Sequence, residues 1–141
     1  MHRRPLGNGR RLAFIGAIVL LVGCVLPWYA AGGDGGLPRT VLTAFDGSGI
    51  ISSLAALATI ALVALPFAAG DRPMGVDRGI VFGLLAVAAL VGVGLMLTYP
   101  GVLEAPEGLL PDRAYGFWIA AVGAIILGRA AYDIVLEPPR R

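Results

Sequence analysis

The sequence predicts an all-α integral membrane protein: a four-helix bundle, N-in/C-in, with two outer loops and one short inner loop. Three observations predict it. Apolar residues make up 57% of the chain and charged residues 14%. Uncharged runs recur at about the thickness of a bilayer, and arginines gather at alternate connections. Soluble proteins carry about 25% charged residues. A chain of 141 residues could not hide this much apolar surface from water, so lipid must cover much of it. The mean hydropathy of +0.83 agrees.

A crossing helix takes about 20 apolar residues. Residues 12–31, 49–69 and 79–99 are uncharged over that length. The fourth span, 114–134, carries Arg129 and Asp133 near its end, where a long arginine stem can snorkel to water. These spans form a bundle over 12–136, flanked by a basic cytoplasmic tail at 1–11 and a second tail at 137–141. Ser48, Asp77 and Asp112 precede the second, third and fourth helices as expected N-caps, because short polar side chains accept orphan backbone N–H groups. Pro66 is expected to bend the second helix near its end. Between the first two spans, the β-branched "RTVLTAF" reads as a short strand with no identified partner.

The arginines orient the bundle. With the amino terminus inside, Arg3, Arg4, Arg10, Arg11, Arg72, Arg78, Arg129, Arg140 and Arg141 fall on the cytoplasmic side, and only Arg39 and Arg113 fall outside. Positive residues retained in the cytoplasm set orientation when loops are this short. The acids divide almost evenly and oppose nothing. The expected location is therefore the bacterial cytoplasmic (inner) membrane, multi-pass, with both termini cytoplasmic. A cleaved signal peptide is the competing reading of the first span. Its apolar run is too long, and Tyr29 stands where cleavage needs a small residue.

That orientation collects Trp28, Tyr29, Tyr99, Tyr115 and Trp118 at the outer end. Such rings favour the headgroup layer, so they are expected to form an outer aromatic cluster or interface belt. Gly116, Ala120, Ala124 and Gly128 place a small residue at every fourth position of helix four, a face for close helix packing or for a partner. Gly79 and Gly83 begin a similar pattern on helix three, continued by Ala88 and Gly92. Arg129 and Asp133, four apart, share a helix face. Arg129 is expected either to pair there or to contact a lipid phosphate or a partner carboxylate.

Chemistry-bearing patterns are sparse. Cys24 is the single cysteine and lies in an apolar run, where a thiol behaves as a small hydrophobe. The one histidine, His2, sits in the basic tail. No nucleophile–base set, HExxH, phosphate loop or dinucleotide fingerprint is present. "FDGSG" starts like a calcium loop but lacks the ligand ladder. The spans hold Ser52, Ser53, Thr59 and Thr98 but no deep carboxylate, which argues against a proton-driven exporter.

With Gly23 and "LPW" at 26–28, "DGSG" at 46–49 and "GFWIAAVGAIILG" at 116–128, the chain resembles a group of small four-span membrane proteins of actinobacteria. The resemblance implies the bundle fold and no activity, so no site residues carry over from it. The expected function is a non-enzymatic structural or accessory subunit of a cell-envelope complex, with no cofactor and no metal. The alternative is an oligomeric carrier or channel for an apolar or lipid-like molecule, which an outer cavity lined by Trp28, Tyr99 and Trp118 would favour. Expected partners are membrane lipid and a membrane protein or second copy of the chain. Nucleic acid is not among them.

Overall fold

The computed structural model describes residues 7–31, 38–69, 78–97 and 112–136. Four helices dominate it: α1 (Asn8–Val25), α2 (Gly49–Ala69), α3 (Arg78–Leu97) and α4 (Tyr115–Leu136). Each packs on its neighbours in the cyclic order α1, α2, α3, α4, and α4 closes back onto α1. Three helices are long and apolar enough to cross a membrane: Asn8–Val25, Gly79–Leu97 and Tyr115–Leu136. In α2 the apolar stretch Gly49–Leu65 is shorter.

The radial distribution of side chains is the reverse of a soluble bundle. Ala13, Ala17, Ala120, Ala124 and Ala130 are fully buried, whereas Leu84 is 65% and Ile125 64% exposed. Small residues inside let helix backbones approach, and large apolar residues outside suit a hydrocarbon solvent. Water would penalise that outer surface heavily.

The closest approach is between α1 and α4. A methyl group built on Gly23 would stand 2.6 Å from the Ala120 Cα, and one on Gly123 would stand 2.6 Å from the Leu20 Cα. On Gly16 it would meet the Leu127 amide nitrogen at 2.9 Å, and on Gly9 the Ile134 Cγ1 at 2.8 Å. Gly9, Gly16 and Gly23 recur every seven residues, the spacing that keeps one seam facing a partner helix. α2 and α3 approach similarly at Gly92, where a methyl would stand 2.8 Å from the Ser52 amide nitrogen. Here the glycine leaves room for a hydroxyl: Ser52 Oγ donates to the Ala89 carbonyl at 2.8 Å.

α1 ends at Val25, six residues short of the expected boundary. The cause is Pro27. Proline excludes its predecessor from the helical region, and Leu26 is extended at φ −79°, ψ 159° after a last bond from its N–H to the Val22 carbonyl. The chain then runs as strand β1 (Tyr29–Ala31), which pairs antiparallel with β2 (Thr40–Leu42) and with β3 (Asp112–Arg113). The sheet order is β2-β1-β3. The expected strand in "RTVLTAF" is therefore present as β2, and its partner is a segment read from sequence as helix. The fold is thus mainly helical with a small three-stranded cap. Asp112, expected as the N-cap of α4, lies in β3 instead, held by pairing with Ala30. Asp77 lies outside the described residues.

A single 3-10 turn, Ala44–Asp46, follows β2 and leads to α2. Thr43 and Asp46 close it reciprocally. The Thr43 N–H donates to Asp46 Oδ2 at 2.7 Å, and the Phe45 N–H donates to Thr43 Oγ1 at 3.3 Å. The same Thr43 N–H, and then the Thr43 hydroxyl, hold the Asp46 carboxyl below its ordinary range by bonding to its charged form.

Candidate functional site

The cap end gathers most of the residues that sequence singled out, in an arrangement different from a belt. Trp28 is fully buried and Tyr29 nearly so. The Trp28 indole N–H donates to the Gly23 carbonyl at 2.8 Å, and the Tyr29 hydroxyl donates to the Met96 carbonyl of α3. Each ring sinks into the bundle because its one polar atom finds a backbone acceptor there. The expectation that both rings face headgroups is corrected: the helix that would have pointed them outward ends before it reaches them.

Phe117 joins the two rings to the surface. Its ring meets Trp28 edge-on at 5.5 Å between centroids and Trp118 edge-on at 5.4 Å. Trp118, 56% exposed, and Tyr115 remain on the outside of α4. Tyr99 lies outside the described residues. The aromatic cluster is thus two buried rings, one bridging phenylalanine and two outward rings.

Backbone bonds sew this cap to the helices. The Trp28 N–H donates to the Leu42 carbonyl at 2.8 Å, the Ala114 N–H to the Trp28 carbonyl at 2.9 Å, and the Gly116 N–H to the Pro27 carbonyl at 3.0 Å. Ser48 directly precedes α2, as expected of its cap, but its hydroxyl reaches across to α3. It donates to the Gly92 carbonyl at 3.3 Å and lies 3.6 Å from the Met96 sulfur.

The small-residue face of α4 divides. Gly116 lies against Leu26 and Pro27, and Ala120 against Gly23. Ala124 is fully buried. Gly128 turns instead towards α3, where an added methyl would make ordinary contact with Leu90 at 3.7 Å. Gly123, absent from the four-residue stripe, makes one of the closest contacts. The seven-residue glycine spacing in α1 is the sequence signal that would have located this seam. On α3, Gly83 has open space where a side chain would stand, and Gly92 is the glycine in tight contact.

At the other end of the bundle, Arg129 pairs with Asp133 at 3.1 Å and lies 5.5 Å over the Tyr132 ring. Gly9 packs beside Ala130 and Ile134, so the start of α1 and the end of α4 share this level.

The buried polar side chains of the described residues are few and are engaged. Among the described residues no group of three or more metal-ligating side chains occurs. No buried side-chain nitrogen or oxygen there lacks a hydrogen-bond partner. Ser53 and Thr59 bond back to the Ile50 and Ala55 carbonyls of their own helix, both at 2.8 Å. Cys24 is free and buried. Against known proteins, no family model matches this chain and no curated protein matches it. The resemblance to small actinobacterial membrane proteins therefore rests on its motifs alone.

Proposed function

We propose that the chain is a non-enzymatic four-span protein of the bacterial inner membrane, both ends cytoplasmic, serving as a structural or accessory subunit of a cell-envelope complex. The observation that carries this reading is the packing: alanine, glycine and satisfied hydroxyls line the helix contacts around a few large side chains such as Trp28, Phe82 and Phe117, while most large aliphatic side chains face outward. α2 supplies the fourth crossing, since its 21 residues amount to ~31 Å, about the hydrocarbon thickness. The arginine distribution supports the orientation in which the sheet cap is the outer end. A bundle whose buried polar side chains are paired among the described residues, topped by a pinned sheet, suits a support better than a reaction centre.

An outer cavity lined by Trp28, Tyr99 and Trp118 would favour the carrier alternative. The packing of Trp28 against Phe117 and its bond to Gly23 support the scaffold reading over it.

The test is copurification of the tagged full-length protein in mild detergent, with thiol-reactive topology reporters at both ends. A reproducible stoichiometric membrane partner, with both ends reporting the cytoplasm, is the expected result. A lone protein carrying a fixed complement of lipid-like ligand would overturn the accessory role, and ends in opposite compartments would overturn the topology.

A further inference from the structure

The cap raises a question of depth. α1 is ~27 Å long at 1.5 Å per residue, and its uncharged part, 12–25, is only ~21 Å. A hydrocarbon core is ~30 Å thick. α3, with 20 residues, reaches ~30 Å. Lowering α1 towards the cytoplasm would carry Arg10 and Arg11 no deeper into lipid, but its oily surface would then end well below the outer boundary. Something other than α1 must occupy the last several ångströms beside it.

Contacts identify what does. The Tyr29 hydroxyl is bonded to the Met96 carbonyl, and a methyl on Gly47 would stand 2.9 Å from the Met96 Cε. Strand β1 and the turn before α2 are therefore level with the last turn of α3. That same turn presents Leu95 and Leu97 outward, both more than two-fifths exposed. The cap stands at a depth where the neighbouring helix still offers leucine to its surroundings.

The outward side chains of the cap have matching chemistry. Val41 and Leu42 on β2, Phe45 on the 3-10 turn, and Tyr115 and Trp118 on the first turn of α4 are all exposed. They continue the apolar surface of the helices, with exposed Arg39, Thr40 and Asp46 at its margin. Asp46, beside Phe45, has its carboxylate turned back onto Thr43. The backbone is also prepared for a layer poor in water, where unpaired groups are costly. The strands bond to one another and to the starts and ends of helices, and the two edge strands are only three and two residues long.

We propose that the cap is a lipid-binding surface, seated within the interfacial layer of the outer leaflet rather than above it. Val41, Leu42, Phe45 and Trp118 contact phospholipid acyl chains near the glycerol backbone. Tyr115 reaches the headgroups with its hydroxyl. The cap thus substitutes for the missing outer turns of α1. This rests on the four-span reading, and the test separates the two.

Single spin-labelled cysteines are placed at 41, 45, 84 and 118 in a Cys24→Ala background, and the protein is reconstituted in phosphatidylethanolamine–phosphatidylglycerol nanodiscs. Collision with oxygen reports lipid, and collision with a water-soluble nickel chelate reports water. The expected result is oxygen-dominated collision at all four sites. Nickel-dominated collision at 41, 45 and 118, with 84 still lipid-like, overturns the cap's placement and leaves the membrane reading standing. Shielding of those three sites from both reagents means that protein covers the cap, and also overturns the proposal. A water-like reading at 84 removes the membrane reading itself.

A second measurement uses the single change Trp28→Phe, which leaves Trp118 as the one tryptophan. Phospholipids brominated near the glycerol end should quench the exposed Trp118 more than those brominated near the acyl terminus. Absence of quenching by either would overturn the placement independently of how the labelled variants fold.

Discussion

The Cα of Ala120 lies where Gly23 can carry no side chain: a methyl there would approach it to 2.6 Å. Backbone-to-backbone contact of this kind cannot relax by rotating a side chain, because the obstacle is the main chain of α4. The seam continues at Gly16 and Gly123, so α1 and α4 behave as one fused element against which α2 and α3 are arranged.

Substitution along that seam should be felt sharply. Gly23→Ala or Gly123→Ala is expected to separate the helices and cost about 1–3 kcal/mol, the usual range for overpacking. Gly83→Ala, where the added methyl enters open space, should be neutral or stabilising by up to ~1 kcal/mol from helix propensity. Thermal unfolding in detergent, followed by far-UV circular dichroism, checks the pair. Equal midpoints for Gly23→Ala and Gly83→Ala would contradict the geometry.

The small-residue face of α4 gives a graded series. Ala124→Leu places a large side chain at a fully buried position and should lower stability by about 1–3 kcal/mol or disrupt a copurifying complex. Gly128→Ala meets only the Leu90 methyl at ordinary contact distance and should leave both intact. Identical behaviour of the two variants in unfolding and copurification would remove the face from consideration.

Tyr29→Phe deletes the hydroxyl that ties the cap to the last turn of α3. A buried hydrogen bond is worth about 0.5–1.5 kcal/mol, and the loss should appear chiefly as faster amide exchange in β1 and around Met96. Hydrogen–deuterium exchange with mass spectrometry resolves this. Unchanged protection there, with loss elsewhere, would mean that the tie does not hold the cap.

Asp46 should make the 3-10 turn sensitive to acid. Its folded carboxyl lies below the ordinary 3.8 because the Thr43 N–H and hydroxyl favour the ionised form. A lowered folded value stabilises the turn at pH above the ordinary value, and that contribution disappears as pH falls through the folded one. Chemical shifts of Thr43 and Phe45 amides should therefore titrate below 3.8, and Asp46→Asn should abolish the titration. Titration above 3.8 would reverse the sign and exclude the closed turn.

Particular residues show how far the sequence could be read. The helices were legible from uncharged runs and the β2 strand from its β-branched residues. The sheet was not, because its central strand, "YAA", has the composition of a helix end and acquires strand geometry only from Pro27 upstream and two partners distant in sequence. Trp28 and Tyr29 were legible as belonging to the cap end. Their burial was not, since it depends on the Gly23 and Met96 carbonyls happening to lie within reach. The four-residue spacing of α4 marked Gly116 and Ala120 but not Gly123, and the seven-residue spacing of Gly9, Gly16 and Gly23 in α1, though present in the sequence, points to α4 only once the two helices are set together.

The sheet draws its strands from both halves of the chain: β1 follows the first helix and β3 precedes the last. A ribosome that has released only the first two helices has made β1 and β2 but not the strand that flanks them on the other edge. The sheet therefore cannot be completed until the segment leading into the last helix has left the ribosome, and the end of α1 waits for it through most of synthesis.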